Sequence, residues 1–172
     1  IAGLTEAKIA TSTIDTTVDG VSVSAADTMQ AHAVSTPVQL DGEDVDALGT
    51  SLALEVSAAL NDLSRVTRAA IDGSTVTAAG NVAVEATGGV VVTADAQAAS
   101  ISDGFGWPNA TVVALGGLFA SNQVLGGVEA YIEGGSVTTA VGSAGDVSVV
   151  ATDSTIVDSN AELSAISDSG VP

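Results

Sequence analysis

Several residue types that compact proteins rely on are rare or absent in this sequence. Its 172 residues include no cysteine, one tryptophan, one tyrosine and two phenylalanines. The lack of cysteine excludes disulfide bonds, thiol catalysis and cysteine-zinc sites. Because aromatic residues are so few, the hydrophobic 46% consists mostly of alanine and valine, which favours a thin core of small side chains. No run approaches the roughly 20 apolar residues of a transmembrane helix, so no membrane span is expected.

Positive charge is also scarce. The basic residues Lys8, Arg65 and Arg68 stand against 21 acidic ones, which gives a formal net charge of −18 at pH 7. Such a chain repels nucleic-acid phosphates and anionic membrane surfaces, so neither is an expected partner. The balance predicts a solvated acidic surface that suits salty surroundings, where charge repulsion is screened.

One stretch of the chain recurs with small changes. The sequence "AIDGSTVTAAGNVAVEAT" at 70–87 matches "AYIEGGSVTTAVGSAGDVSVVAT" at 130–152, after a four-residue insertion near "VGSA". A weaker copy, "KIATSTIDTTVDGVSVSAA", lies upstream, and the aligned Ile9, Ile71 and Ile132 are 62 and 61 positions apart. We therefore expect one segment built from about three repeats. The repeats are residues 1–62, residues 63–123 and an incomplete third at 124–172.

The apolar pattern within each repeat predicts strands. Valine and alanine alternate with other residues over 82–86, after a turn at Gly80–Asn81, as expected for short strands. The run 51–70 has leucines at helical spacing, but the aligned run 111–130 carries four glycines that a helix would resist, so we expect both to be mainly strand. Such strands bury their faces by stacking on like neighbours, which predicts an all-β parallel β-helix, or β-solenoid.

The expected coil is short. At roughly 20 residues per coil, each repeat would form about three coils. The alternative architecture is an array of antiparallel β-sandwiches, one for each repeat. A unit of about 62 residues is short for a sandwich with its own core, and this chain lacks the aromatic side chains to fill one.

Few residues offer chemistry, and no catalytic residue is predicted. The single histidine, His32, lies between Ala31 and Ala33. The strand pattern turns these two alanines inward, so we expect His32 to face solvent and not to serve a catalytic triad. Zinc sites need several histidine or cysteine ligands, which the chain does not have.

An acidic loop is the candidate metal site. The segment "DGEDVD" places four carboxylates within six residues, and calcium prefers oxygen ligands of this kind, although the EF-hand order is missing. The simpler interpretation is a solvated acidic loop, and no cofactor other than calcium is expected. The candidate ligands are Asp41, Glu43, Asp44 and Asp46.

The corresponding loop in the second repeat is the candidate binding site. Its sequence, "SDGFGWPNA", is the one irregular aromatic stretch of the chain. Corner loops vary without disturbing the strands and often carry binding surfaces. Phe105 and Trp107 are therefore candidates for contacting a ligand or a neighbouring molecule. The alternative is that they cover the side or the open end of the coil.

Two motifs together resemble a known class of repeat. Ala-Tyr-Ile-x-x-x-Ser-Val at 130–137 precedes Gly-Asp-Val-x-Val-x-Ala-Thr at 145–152, and a glycine-rich apolar run comes before both. This pattern resembles the repeats of very large bacterial surface proteins, the filamentous-haemagglutinin-like and giant repetitive adhesin families. The first repeat departs from it, because "DGEDVDALGTSLALEV" replaces the glycine-rich run. The resemblance implies an exported β-solenoid that is extracellular or at the bacterial cell surface.

The function that the resemblance implies is structural: an adhesin stalk, a spacer or a subunit of an extracellular filament. Expected partners are the continuation of the same chain, since the sequence begins Ile-Ala-Gly, or copies stacked end to end, since open strand edges invite pairing. The alternative is an adhesion module that binds a glycan or protein of a host or neighbouring cell through loops 41–50 and 103–110, assisted by calcium. A carbohydrate-active β-helix enzyme is disfavoured, because the acids are spread over turns and aromatic platforms are missing.

Overall fold

The computed structural model describes residues 1–36, 40–41, 50–103, 111–139 and 145–168. Within these ranges the chain is all-β and contains no helix, and therefore no helix long and apolar enough to cross a membrane. The described strands are β1 (Ala2–Ala10), β2 (Thr13–Thr16), β3 (Val21–Ser35), β4 (Leu40–Asp41), β5 (Thr50–Asp72), β6 (Thr75–Ala78), β7 (Val82–Asp103), β8 (Thr111–Glu133), β9 (Ser136–Thr139) and β10 (Val147–Asp168).

The ambiguous runs 51–70 and 111–130 are both strand, in β5 and β8, so that prediction is confirmed. Burial in β5 alternates strictly from Ala53 to Leu60, as a pleated strand requires. Leucine and arginine favour helices in isolation, but the neighbouring strands supply the backbone partners that override this weak preference.

The described strands form three sheets, and each sheet places equivalent strands of successive repeats side by side. The orders are β1-β5-β8, β2-β6-β9 and β3-β7-β10. Pairing is parallel, apart from the two-residue β4, which pairs antiparallel to β5. The expected parallel arrangement is confirmed, and the antiparallel sandwich array is not what these strands form.

The pairing register follows the sequence alignment. Ile9 pairs with Ile71, and Thr75 pairs with Ser136, so neighbouring residues are 62 and 61 positions apart. Between β7 and β10 the offset is larger. The amide of Val82 donates to the carbonyl of Asp146 at 2.8 Å, which in a parallel sheet makes Val147 the partner of Val82. The larger offset reflects the four-residue insertion in the third repeat.

The register contradicts the expected coil of about 20 residues, since hydrogen-bonded neighbours are separated by a whole repeat. The strands are also longer than predicted: β7 has 22 residues and runs unbroken through Gly88 and Gly89. Glycine pairs that mark turns in many proteins here lie inside extended strands. Within these pairs Gly88 and Gly116 leave room for side chains of other strands, because a Cβ would overlap the guanidinium of Arg65 at Gly88 and a methyl group of Leu163 at Gly116.

The described chain divides into two compact units. The first consists of Ile1–Gln30, Asp62–Val91 and Val124–Ile156, which we call the first, middle and third layers. The middle layer pairs with both of the others through β5 and β6. All three layers contribute to the core of this unit. Its buried residues are Val23, Ala25, Ala69, Ile71, Val76, Ala78, Val82, Val84 and Ala86, and Ile9, Ile14, Ile132 and Val137 pack against them.

The second unit consists of Ala31–Asn61, Val92–Gln123 and Val157–Pro172. Its described core is small and consists mainly of alanine. Ala59, Ala94 and Ala96 are buried, and Ala33, Leu118 and Ala120 pack against them. Such side chains let backbones approach closely, in agreement with the thin core that the composition predicts.

Candidate functional site

Most of the residues predicted as binding or metal sites lie outside the described residues. This holds for Glu43, Asp44 and Asp46 and for Phe105 and Trp107. The backbone of Asp41 belongs to β4, paired with Ala53. Among the side chains that the structure describes, no group of three or more histidine, aspartate or glutamate residues is placed to hold a metal ion. The calcium site and the aromatic binding site therefore stay predictions.

His32 faces solvent, as predicted. Its side chain is 58% exposed, and Nε2 lies 2.7 Å from Oδ2 of Asp95 on the neighbouring strand β7. Its alanine neighbour Ala33 packs into the core of the second unit. The histidine thus makes a polar contact between two repeats on the outer face of the sheet.

The described side chains that concentrate charge are the two arginines of the middle layer, which the sequence reasoning left without a role. Arg68 pairs in register with Glu6 of the first layer. Its guanidinium Nη1 lies 3.8 Å from Glu6 Oε1, and Nη2 lies 2.8 Å from Glu129 Oε2 of the third layer. The hydrogen bond to Glu129 raises the pKa of Arg68 above its ordinary value. Arg68 thus contacts acidic residues on both sides.

Arg65 repeats this arrangement inside the unit. Its side chain is 3% exposed; Nη2 lies 2.6 Å from Asp153 Oδ1, and Nη1 lies 3.9 Å from Asp27 Oδ2. Asp27 belongs to the first layer and Asp153 to the third. A buried guanidinium is costly unless carboxylates accompany it. Here Asp153 accepts a hydrogen bond from Nη2, whereas Asp27 is near Nη1 without a hydrogen bond.

The strand pattern places the two arginines on opposite faces. Residues three positions apart on a strand point to opposite sides, so Arg65 points inward and Arg68 outward. The inward guanidinium needs room, and Gly88 provides it, because a Cβ there would overlap both Nη atoms of Arg65. Gly126 of β8 gives similar room to the backbone of Arg65; its φ is +124°, and a Cβ would overlap the Arg65 carbonyl oxygen.

The third cation follows the same rule. Lys8 of the first layer donates to Asp72 Oδ2 of the middle layer at 2.6 Å. Each of the three basic side chains of the sequence therefore contacts an acidic side chain of a neighbouring layer. The hydrogen-bonded pairs Lys8–Asp72, Arg65–Asp153 and Arg68–Glu129 each join residues more than 60 positions apart. These ion pairs connect repeats.

Asparagine forms a comparable series in the second unit. Asn61 Nδ2 donates to the side-chain oxygen of Asn122 at 2.8 Å and to the carbonyl of Thr93 at 2.9 Å. Asn122 in turn donates to the carbonyl of Asp158 and to Ser159 Oγ. The two asparagines are 61 positions apart, the offset of one repeat, so their bond joins equivalent positions of successive repeats.

The ion pairs and the asparagine bonds described above thus join neighbouring repeats of the same chain. Comparison with models of known protein families, with curated proteins and with solved structures finds no match to this chain.

Proposed function

We propose that this chain is a structural stacking module, in which successive turns of a β-solenoid form a stalk, spacer or filament segment of a bacterial surface repeat protein. The observation that supports this most directly is the pairing offset of one repeat, 62 positions between β1 and β5 and 61 between β6 and β9. Each repeat uses its backbone donors and acceptors on the next one, so the chain builds length by adding layers.

The turns of the first unit support the same proposal. Thr11, Gly73 and Gly134 are spaced by 62 and 61 positions, and all three have left-handed backbones, with φ of 49°, 55° and 64°. Their amides continue the pairing: Thr11 donates to the Asp72 carbonyl and Gly73 to the Glu133 carbonyl. A turn repeated with the same geometry keeps the next layer in register.

The role proposed for the chain is mechanical, with the surface location and the continuation of the stack as parts of the same proposal. The alternative, an adhesion module using loops 41–50 and 103–110, draws on the four carboxylates of "DGEDVD". A load-bearing stack does not need calcium at those loops, whereas a calcium-assisted adhesion module does.

Stretching single molecules by their two ends tests the mechanical role. Peeling one layer of about 61 residues releases roughly 200 Å of chain. We expect separate force peaks with that spacing, unchanged by millimolar calcium. A single low-force extension of the whole chain would contradict the proposal, and peaks that appear only with calcium would favour the adhesion module.

Two neighbouring glycines supply a matched control for this experiment. Gly126→Ala should lower the peak force, because its φ of +124° and the Arg65 carbonyl leave no room for a Cβ. Gly127→Ala should leave the force unchanged, because nothing lies within 4 Å of a Cβ at that position.

A further inference from the structure

The two arginine contacts in the first unit have the same order of charges across the layers. Glu6 and Glu129 contact Arg68 from the first and third layers, and Asp27 and Asp153 contact Arg65 in the same way. Each set holds two acids and one arginine, which leaves one negative charge in excess. One further arginine beyond either outer layer would balance each set.

The acids of the outer layers remain partly exposed. The side chains of Glu129 and Asp153 in the third layer are 50% and 43% exposed, and those of Glu6 and Asp27 in the first layer are 35% and 24% exposed, although each contacts an arginine. In the described sheets, β1 and β8 each pair with β5 on one side. Their other edges carry unpaired backbone groups of the kind that accept an added strand. The third layer also exposes Val147, Val149, Val150 and Ile156 along β10.

We propose that each outer layer of the first unit is a docking surface for a further repeat layer that carries arginine at the positions of both Arg65 and Arg68. This inference rests on the proposed stacking function and names the chemistry of the partner. The added strand would lie parallel to β8 or β1. Its inward arginine would reach Asp153 or Asp27, and its outward arginine would reach Glu129 or Glu6.

The geometry of the middle layer defines which residues such a partner layer needs. Its arginines must be three positions apart, so that one points inward and one outward. It also needs a residue with no side chain where the middle layer has Gly88, because the guanidinium of Arg65 fills that space. A layer that meets these conditions continues the order acid, arginine, acid, arginine.

A second copy of this chain does not meet them. Stacking its first layer on the third would bring Glu6 beside Glu129 and Asp27 beside Asp153, with no arginine between them. Like charges directly opposite each other in a sheet are destabilising, and a repulsive contact of this kind selects against the wrong partner. The charge order therefore favours an arginine-bearing layer over end-to-end stacking of identical copies.

A synthetic peptide with the sequence of residues 62–72, DLSRVTRAAID, serves as the probe for the full chain. We expect the labelled peptide to bind at two sites per chain in fluorescence anisotropy. Exchange of Thr67 and Arg68 in the peptide keeps composition and charge but turns both arginines to one face. We expect this peptide to bind about tenfold more weakly at low salt, with the difference shrinking at high salt.

Variants of the protein assign the sites. Glu129→Gln with Asp153→Asn should remove one of the two binding events, and Glu6→Gln with Asp27→Asn should remove the other, while circular dichroism shows that the chain stays folded. Equal binding of both peptides would overturn the arginine requirement and leave the stacking function standing. No binding of either peptide would overturn the docking surface. Failure of the stacking function itself would appear separately, as loss of the stepwise force peaks.

Discussion

Strands β7 and β10 share an apolar pattern but differ in burial. Val82 and Val84 of β7 are fully buried, whereas the aligned Val147 and Val149 of β10 are 48% and 44% exposed. The residue types are the same, so the difference comes from the neighbours. In the described sheets β7 lies between β3 and β10, whereas β10 pairs with β7 alone. The number of adjacent layers therefore decides how much an apolar side chain contributes to stability.

The ionic contacts show the same contrast. The middle layer holds both arginines, and each contacts acids on two sides, whereas the outer layers hold acids with an arginine on one side. A buried guanidinium such as that of Arg65 depends on its carboxylates, while an exposed acid such as Glu129 is stabilised by water as well. The middle layer is thus the part of the first unit that tolerates change least.

The largest expected effect comes from placing a neutral polar side chain at the two aligned valines. Val84→Asn should lower the free energy of unfolding by about 4 kcal/mol, because it loses apolar burial and buries an amide without partners. Val149→Asn should cost less than about 1 kcal/mol, because water reaches that position. Urea unfolding of both variants measures the difference, and similar losses at the two positions would contradict the contrast between layers.

A smaller effect, of opposite sign in the two layers, is expected at the repeated turn. Thr11 of the first layer has φ of 49°, a conformation that β-branched residues rarely adopt, and nothing lies within 4 Å of a Cβ at the equivalent Gly73. Thr11→Gly should stabilise the chain by about 0.5 kcal/mol, after the entropy cost of glycine. Gly73→Ala should destabilise it by about 1 kcal/mol.

Thermal unfolding of these two variants provides the measurement. Gly127→Ala is a suitable reference for Gly73→Ala, because it adds the same methyl group in open space. Stabilisation by Gly73→Ala would show that the left-handed turn is not retained in solution. The comparison of the two alanine variants isolates the backbone, since nothing lies within 4 Å of the added Cβ at Gly73 or at Gly127.

The sequence predicted the pairing register of the strands but not the number of residues in one turn of the stack. The alignment of Ile9 with Ile71 became a hydrogen-bonded pair, because like side chains pack best above one another. The predicted coil is too short because it uses a general length of roughly 20 residues for each turn, whereas hydrogen-bonded neighbours are a whole repeat apart. Gly88 lies inside a strand because a Cβ there would overlap the guanidinium of Arg65.

One of the two arginine contacts could have been predicted from the sequence, and the other could not. The set of Glu6, Arg68 and Glu129 follows from the repeat offsets alone, so the alignment could have revealed it. The contact of Arg65 with Asp153 joins residues 88 positions apart. It depends on a side chain that crosses from one sheet to another, and no periodicity in the sequence records that crossing.

The smallest expected effect concerns Lys8, the one lysine of the chain and a residue of an outer layer. Its hydrogen bond to Asp72 raises the pKa of the ammonium group above its ordinary value of 10.5. A raised pKa means that the contact stabilises the fold fully below pH 10.5 and that this contribution disappears as the pH rises through the folded-state value. Lys8→Met should therefore melt slightly below the parent chain at neutral pH, and the two melting temperatures should converge as the pH rises through the raised pKa of Lys8. Asp72→Asn serves as the matched control, because it removes the same contact from the other side and should show the same convergence. A difference in melting temperature that stays constant from neutral to alkaline pH would mean that Lys8 acts through packing, and that the outer layer is bound to the middle one there without help from charge.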